Sequence, residues 1–94
     1  MSTSATVREI AAQVSALCPD LKMTLIEKDE LTLRVNRKTR RGVRNVDIAY
    51  NPGLDLYDVT VYQFGKNITG LYEQTVEECV YGTDLRKYVH GDIN

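Results

Sequence analysis

The chain has little of what metal sites, redox pairs and acid–base catalysis require. It contains two cysteines, one histidine and no tryptophan among 94 residues. Cys18 and Cys79 lie far apart without CxxC spacing, so we expect two reduced, buried thiols and neither a zinc site nor a redox pair. His90 lies at the end of the last predicted helix, where it suits the helix dipole better than catalysis. We therefore expect no catalytic residues, no metal and no cofactor, in a protein that is not an enzyme.

Long apolar runs and glycine-rich loops are also missing. No segment approaches the length that crosses a bilayer, and the first residues lack the basic and apolar regions of a signal peptide. The glycines are too widely spaced to form a phosphate-binding loop or a dinucleotide fingerprint. We expect a cytoplasmic protein with no membrane segment.

The composition, with 43% hydrophobic and 27% charged residues, is typical of a globular domain. A second core would have to form from fewer than about fifty residues, which is too few without disulfides or metal. We therefore predict a single domain over residues 1–94.

The clearest predicted element is an N-terminal amphipathic helix over residues 6–18, where apolar side chains recur at three-and-four spacing. Thr6 with Glu9 three residues later matches a capping box at its start. Pro19 ends it, because proline cannot continue the hydrogen-bond ladder. Such a helix needs an apolar surface to pack against.

From Met23 to Phe64 the period changes to two, which predicts a four-stranded antiparallel meander. The alternation assigns one face to the core and leaves the other wet. The predicted register places Val35 opposite Arg44 and Arg34 opposite Asn45. The strands are predicted near 22–27, 31–37, 42–50 and 57–64, with Met23, Leu25, Leu31, Leu33, Val35, Val46, Ile48, Tyr50, Tyr57, Val59 and Val61 on the core face.

After Phe64 the pattern weakens, and residues 65–82 fit either a short strand or a turn of helix. Thr83 and Asp84 then open a C-terminal helix. The predicted fold class is thus α+β: an N-terminal amphipathic helix, a four-stranded antiparallel meander and a C-terminal helix, with both helices packed on one face of the sheet.

Half of the positive charge lies in one segment, the predicted second hairpin from Arg34 to Arg44, which contains no acidic residue. The rest of the chain carries six basic and thirteen acidic side chains. Such an asymmetry favours binding to a negatively charged surface, and the alternative is a solvated hairpin tip, in which six cations without a local anion would repel one another. The six cations are Arg34, Arg37, Lys38, Arg40, Arg41 and Arg44.

Two aromatic residues, Tyr62 and Phe64, are predicted on the wet face near the basic hairpin. Aromatic and cationic side chains together on a sheet face can stack on a partner while holding its anions. The alternative is that the segment after Gly65 covers both rings.

The leading hypothesis is a small regulatory or adaptor protein that binds a protein partner with an acidic surface through this hairpin, Tyr62 and Phe64. The six tyrosines suit it, since tyrosine and arginine are enriched at interfaces. The second hypothesis is nucleic-acid binding, with the hairpin cations on phosphates, against which the acidic remainder of the chain counts. A homodimer through an edge of the sheet is left open.

Overall fold

The architecture, taken from a computed structural model, is described for residues 5–39, 42–65 and 71–90, with the backbone alone at residues 5 and 71–73. It confirms the α+β class, with a helix at each end of an antiparallel sheet. The sheet has five strands, so the predicted number of four was wrong. In chain order the elements are α1 (Ala5–Leu17), β1 (Thr24–Asp29), β2 (Thr32–Thr39), β3 (Gly42–Asn51), β4 (Leu56–Gly65), β5 (Leu71–Val80), a 3₁₀ turn (Gly82–Asp84) and α2 (Leu85–His90).

Each strand pairs with the next one in the chain, so the sheet order is β1-β2-β3-β4-β5. β5 is the element that the apolar pattern did not reveal. Its Thr75 and Glu77 are register partners of the buried Val61 and Val59, yet both are exposed, as is its Val76. In β5 the residues 74–79 are exposed on both faces, and such a segment has no reason to alternate apolar with polar residues, which explains the weak signal there.

Both helices pack on the same face of the sheet, as predicted. The apolar stripe of α1 is buried there, although Thr6 already lies inside the helix and is not its N-cap. Neither described helix is long and apolar enough to span a membrane. The buried apolar side chains are Val7, Ile10, Val14, Cys18, Leu33, Val35, Val46, Ile48, Val59, Val61, Val80, Leu85 and Val89.

The predicted register of β2 on β3 was wrong by two residues. Val35 lies opposite Val46, and Arg34 lies opposite Asp47. The cause is a shorter loop than expected, since Thr39 already pairs with Gly42. A shift of two keeps every side chain on its own face, so the division into core and wet faces survived the error.

Two residues expected in the core are exposed. Leu31 lies at the turn between β1 and β2 and is 39% exposed. Cys18 is buried as predicted, but Cys79 is exposed and has a φ of 57°. It lies where the β4–β5 register shifts between Tyr57 and Val59, and this bulge turns it out of the alternation.

Candidate binding surface on the sheet

The cations of the β2–β3 hairpin are divided between the two faces of the sheet. Arg37 and Arg44 are register partners on the face that carries the helices. Arg34 and Lys38 lie on the opposite face, which we call the open face, because no described helix packs on it. The predictions for Arg40 and Arg41 fall outside the described residues. The strand alternation therefore gives neighbouring cations different environments.

The two helix-side arginines hold the C-terminus of α2. Arg37 donates from Nη1 to the carbonyl oxygens of His90, at 2.8 Å, and Val89, at 3.2 Å. Arg44 donates from Nε to the carbonyl oxygen of Tyr88 at 2.8 Å. The last carbonyls of a helix lack partners within the helix and carry partial negative charge, so guanidinium groups suit them. These two cations thus act within the fold.

Arg44 is buried together with a glutamine from β4. It is 8% exposed and Gln63 is 4% exposed. Gln63 accepts a long hydrogen bond from Arg44 at 3.5 Å and donates to the carbonyl oxygens of Val43 and Phe64, both at 3.3 Å. This polar row closes the end of the aliphatic core with its hydrogen-bonding groups engaged, as buried polar groups require.

On the open face, Asp47 organises two cations. Arg34 donates from Nε at 2.7 Å and from Nη2 at 3.0 Å, and Lys28 donates at 3.2 Å. Asp47 is 8% exposed. Burial raises the pKa of its carboxyl group, but the hydrogen bonds from Arg34 and Lys28 outweigh this and leave the pKa below its ordinary value. The bidentate geometry fixes the plane of the Arg34 guanidinium.

The oriented guanidinium of Arg34 lies beside an aromatic ring of β4. Its Cζ atom is 5.8 Å from the centroid of the Tyr62 ring, within the range of a cation–π contact. Toward the hairpin tip, Lys38, Val43 and Phe64 follow one another across three strands. We call Arg34, Lys38, Tyr62 and Phe64 the basic end of the open face.

Tyr62 and Phe64 are both half-buried. The chain after Gly65 was expected to cover them if they had no role in binding. In its described part, that chain forms β5 and runs alongside β4, with Gln74 as the register partner of Tyr62. β5 therefore widens the open face at the level of the two rings instead of covering it.

Four of the eight predicted site residues thus come together on the open face, and two lie on the helix side. Lys28 and Asp47 were missed as parts of this surface. Their signal was the register, because the correct pairing sets Arg34 directly opposite a carboxylate. The predicted register, which was shifted by two residues, set Arg34 opposite Asn45 and therefore did not indicate this pair.

The described residues contain no group of three or more histidine, cysteine, aspartate or glutamate side chains that would hold a metal ion. The carbonyl of His90 accepts from Arg37, in keeping with a structural place at the helix end. Near the end of β3, Tyr50 donates to Asp55 at 2.5 Å, and this exposed hydrogen bond raises the pKa of the tyrosine.

Comparison of the chain with protein-family models, with curated proteins and with solved structures found no match. A functional conclusion therefore rests on the residues and geometry described above.

Proposed function

We propose that this is a non-enzymatic binding protein that docks on the acidic surface of a protein partner through the basic end of the open face. The observation that carries the proposal is the guanidinium of Arg34, held by Asp47 against the ring of Tyr62 on the sheet face where no described helix packs. Lys38 and Phe64 extend this surface toward the hairpin tip, where Arg40 and Arg41 follow in the chain.

The physical argument is preorganisation. Arginine and tyrosine dominate protein interfaces because each combines a large contact area with a polar group. Ordering such side chains on binding costs about 0.5–1.5 kcal/mol for each one immobilised. Arg34 is already ordered by two hydrogen bonds to Asp47, and Tyr62 lies on β4, which pairs with a strand on each side. A partner with carboxylates near an apolar patch would thus meet an arranged surface.

A protein partner is favoured over nucleic acid by the number of cations that remain for a ligand. Arg37 and Arg44 donate to α2, and Arg34 is matched by Asp47. Binding to nucleic acid depends mainly on the number of phosphates neutralised. With two of the six hairpin cations engaged with α2, and with the charge of Arg34 balanced by Asp47, that contribution is smaller than the sequence count indicates.

The test is affinity capture from a lysate of the source organism, with and without nuclease treatment, using three forms of the full chain. These are the unmodified protein, the Lys38→Glu/Arg41→Glu variant and the Arg8→Glu/Lys87→Glu variant. The two variants change the net charge equally, but Arg8 and Lys87 are exposed on the helices, away from the open face. Direct titrations with labelled single-stranded DNA and RNA at low and physiological salt accompany the capture.

We expect a protein with an acidic surface to be captured by the unmodified chain and by the helix variant, and to be lost with the hairpin variant. Purified, it should bind with only moderate salt dependence. Capture that disappears on nuclease treatment, or steeply salt-dependent binding to the oligonucleotides, would replace the proposal with the nucleic-acid alternative. Equal capture by both variants would overturn the choice of surface.

A further inference from the structure

A notch opens at the edge of the sheet where β1 begins. The first pair between β1 and β2 joins Thr24 to Asn36, whereas β2 continues for three more residues to Thr39. The edge of β2 that β1 does not cover and the chain entering β1 border a space of about 420 Å³ that is open to solvent. It is lined by Lys22, Met23, Thr24, Asn36, Arg37 and Lys38.

The charged groups among these six lining residues are all cations. Lys22, Arg37 and Lys38 come from two chain segments that the strand pairing brings together. Thr24 and Asn36 add a hydroxyl and an amide, both of which can donate hydrogen bonds to an anion. Three cations in one concave site raise the local concentration of anions more than the same charges spread over a convex surface.

The guanidinium group of Arg37, one of the residues that line the notch, is held in place by α2. Its Nη1 is held by the carbonyl oxygens of Val89 and His90. Its Nε is buried and has no hydrogen-bond partner among the described residues. Because the two carbonyls order the side chain, an anion that contacts Arg37 in the notch meets a guanidinium that is already held in place.

The geometry points to a binding site for a phosphorylated small molecule. A phosphate monoester carries close to two negative charges and three acceptor oxygens, which suits three cations better than a single carboxylate does. The volume falls within the range of small-molecule sites, about 300–1,000 Å³. Met23 and the aliphatic parts of the two lysines provide an apolar wall for the organic part of the ligand.

This inference goes beyond the proposed function and does not rest on it. Lys38 belongs to both surfaces, but Lys22 lies outside the basic end of the open face. Lys22 is exposed, so Lys22→Gln removes a charge from the notch without disturbing the core. Lys87→Gln, on the exposed side of α2, is the matched control. Arg37 is left unchanged because it also holds α2.

The experiment follows amide chemical shifts of the labelled full chain during titration with phenyl phosphate, inorganic phosphate and phenol. We expect saturable shifts confined to residues 22–24 and 36–38, with phenyl phosphate the tightest and phenol without effect. Lys22→Gln should weaken phenyl phosphate binding about tenfold, the loss expected for one charge-assisted hydrogen bond, and Lys87→Gln should not change it. Capture of the protein partner should be unaffected by Lys22→Gln.

Shifts that do not saturate, or that weaken equally in both variants, would show non-specific anion binding and overturn the inference. Inorganic phosphate binding as tightly as phenyl phosphate would overturn the organic part of the assignment. A single-stranded oligonucleotide that shifts the same amides at lower concentration than phenyl phosphate would assign the notch to nucleic acid.

Discussion

Neighbouring cations of the β2–β3 hairpin lie on opposite faces of the sheet and have different environments in this protein. On the helix side, Arg44 is buried and, like Arg37, donates to the last carbonyls of α2. On the open face, Arg34 remains about one-third exposed at its side chain and Lys38 is exposed. The difference shows that the basic segment has two roles. Arg37 and Arg44 cap the C-terminus of α2, whereas Arg34 and Lys38 belong to an accessible surface.

A count of charges along the chain does not distinguish these roles, because the period of two in a strand assigns alternate residues to opposite faces. The helix-side arginines should therefore affect stability, and the open-face cations should affect binding of the acidic protein partner. Four measurements test this division, beginning with the largest effect expected on stability.

Arg44→Ala should give the largest loss. It removes a buried guanidinium and leaves the Tyr88 carbonyl and the Gln63 amide oxygen without this donor. Losing hydrogen bonds from a buried charged donor should lower the free energy of unfolding by about 2–3 kcal/mol, measured by urea denaturation. The control is Arg8→Ala on the exposed side of α1, where we expect a change within about 0.5 kcal/mol. If both substitutions lowered the free energy of unfolding equally, Arg44 would have no special structural role on the helix side of the sheet.

Asp47→Asn tests the open-face network. The variant removes the charge that pairs with Arg34 and Lys28, and because both cations are partly exposed the loss should be about 1–2 kcal/mol. The folded pKa of Asp47 is below its ordinary value, so its contribution is present at neutral pH and disappears as pH falls through the folded pKa. Urea denaturation at pH 7 and in acid should show the two proteins converging in acid. Glu30→Gln in the exposed β1–β2 turn is the control, and a constant difference at all pH values would contradict the ionic explanation.

Asp20 tests whether an arginine that caps a helix end still stabilises the fold when its ion pair is exposed. Arg86 of α2 donates to the Leu17 carbonyl at the end of α1 and forms a bidentate pair with Asp20, but this pair is exposed. The hydrogen bonds from Arg86 lower the pKa of Asp20 from 3.8 to about 2. The stabilisation is therefore full above pH 3.8 and is lost as pH falls toward 2.

Asp20→Asn should accordingly flatten the dependence of stability on pH in that window, with little change in its shape near neutrality. Thermal unfolding across the acid range measures it, with Asp84→Asn, also an exposed carboxylate near α2, as the control. The same acid slope in Asp20→Asn and in the unmodified chain would show that this cap contributes nothing.

Lys38→Ala should have the smallest effect on stability. The side chain is exposed, and exposed substitutions usually change the free energy of unfolding by less than about 0.5 kcal/mol. The same variant should reduce capture of the acidic partner. Unfolding at clearly lower urea concentration would place Lys38 with the structural arginines.

Much of the fold could be predicted because most of its elements are half-buried. The stripe of α1 and the alternation of β2, β3 and β4 follow directly from which side meets the core. β5 could not be found in this way, since Thr75, Val76 and Glu77 are exposed on both of its faces. Pairing with β4 through the backbone forms this strand, and backbone pairing leaves little trace in side-chain pattern.

The site was predicted less completely. The prediction grouped all six hairpin cations as one surface, although alternation puts Arg37 and Arg44 on the side of Val35 and Val46, and their bonds to α2 depend on how a distant helix packs. The pairing of Arg34 with Asp47 depends on exact register, which a loop of uncertain length does not provide. Local pattern thus predicts faces well and long-range polar contacts poorly.

The arginine caps also imply an order of folding. α2 has six residues, far below the length at which an isolated helix persists in water. Its last carbonyls accept from arginines 44 to 53 positions earlier in the chain, which are placed only when β2 and β3 have paired. The terminal helix is therefore expected to form only after β2 and β3 have paired. The amide hydrogens of α2 should exchange with solvent whenever the β2–β3 hairpin opens. Their exchange rates therefore measure the stability of the β2–β3 pair, although α2 is not part of it.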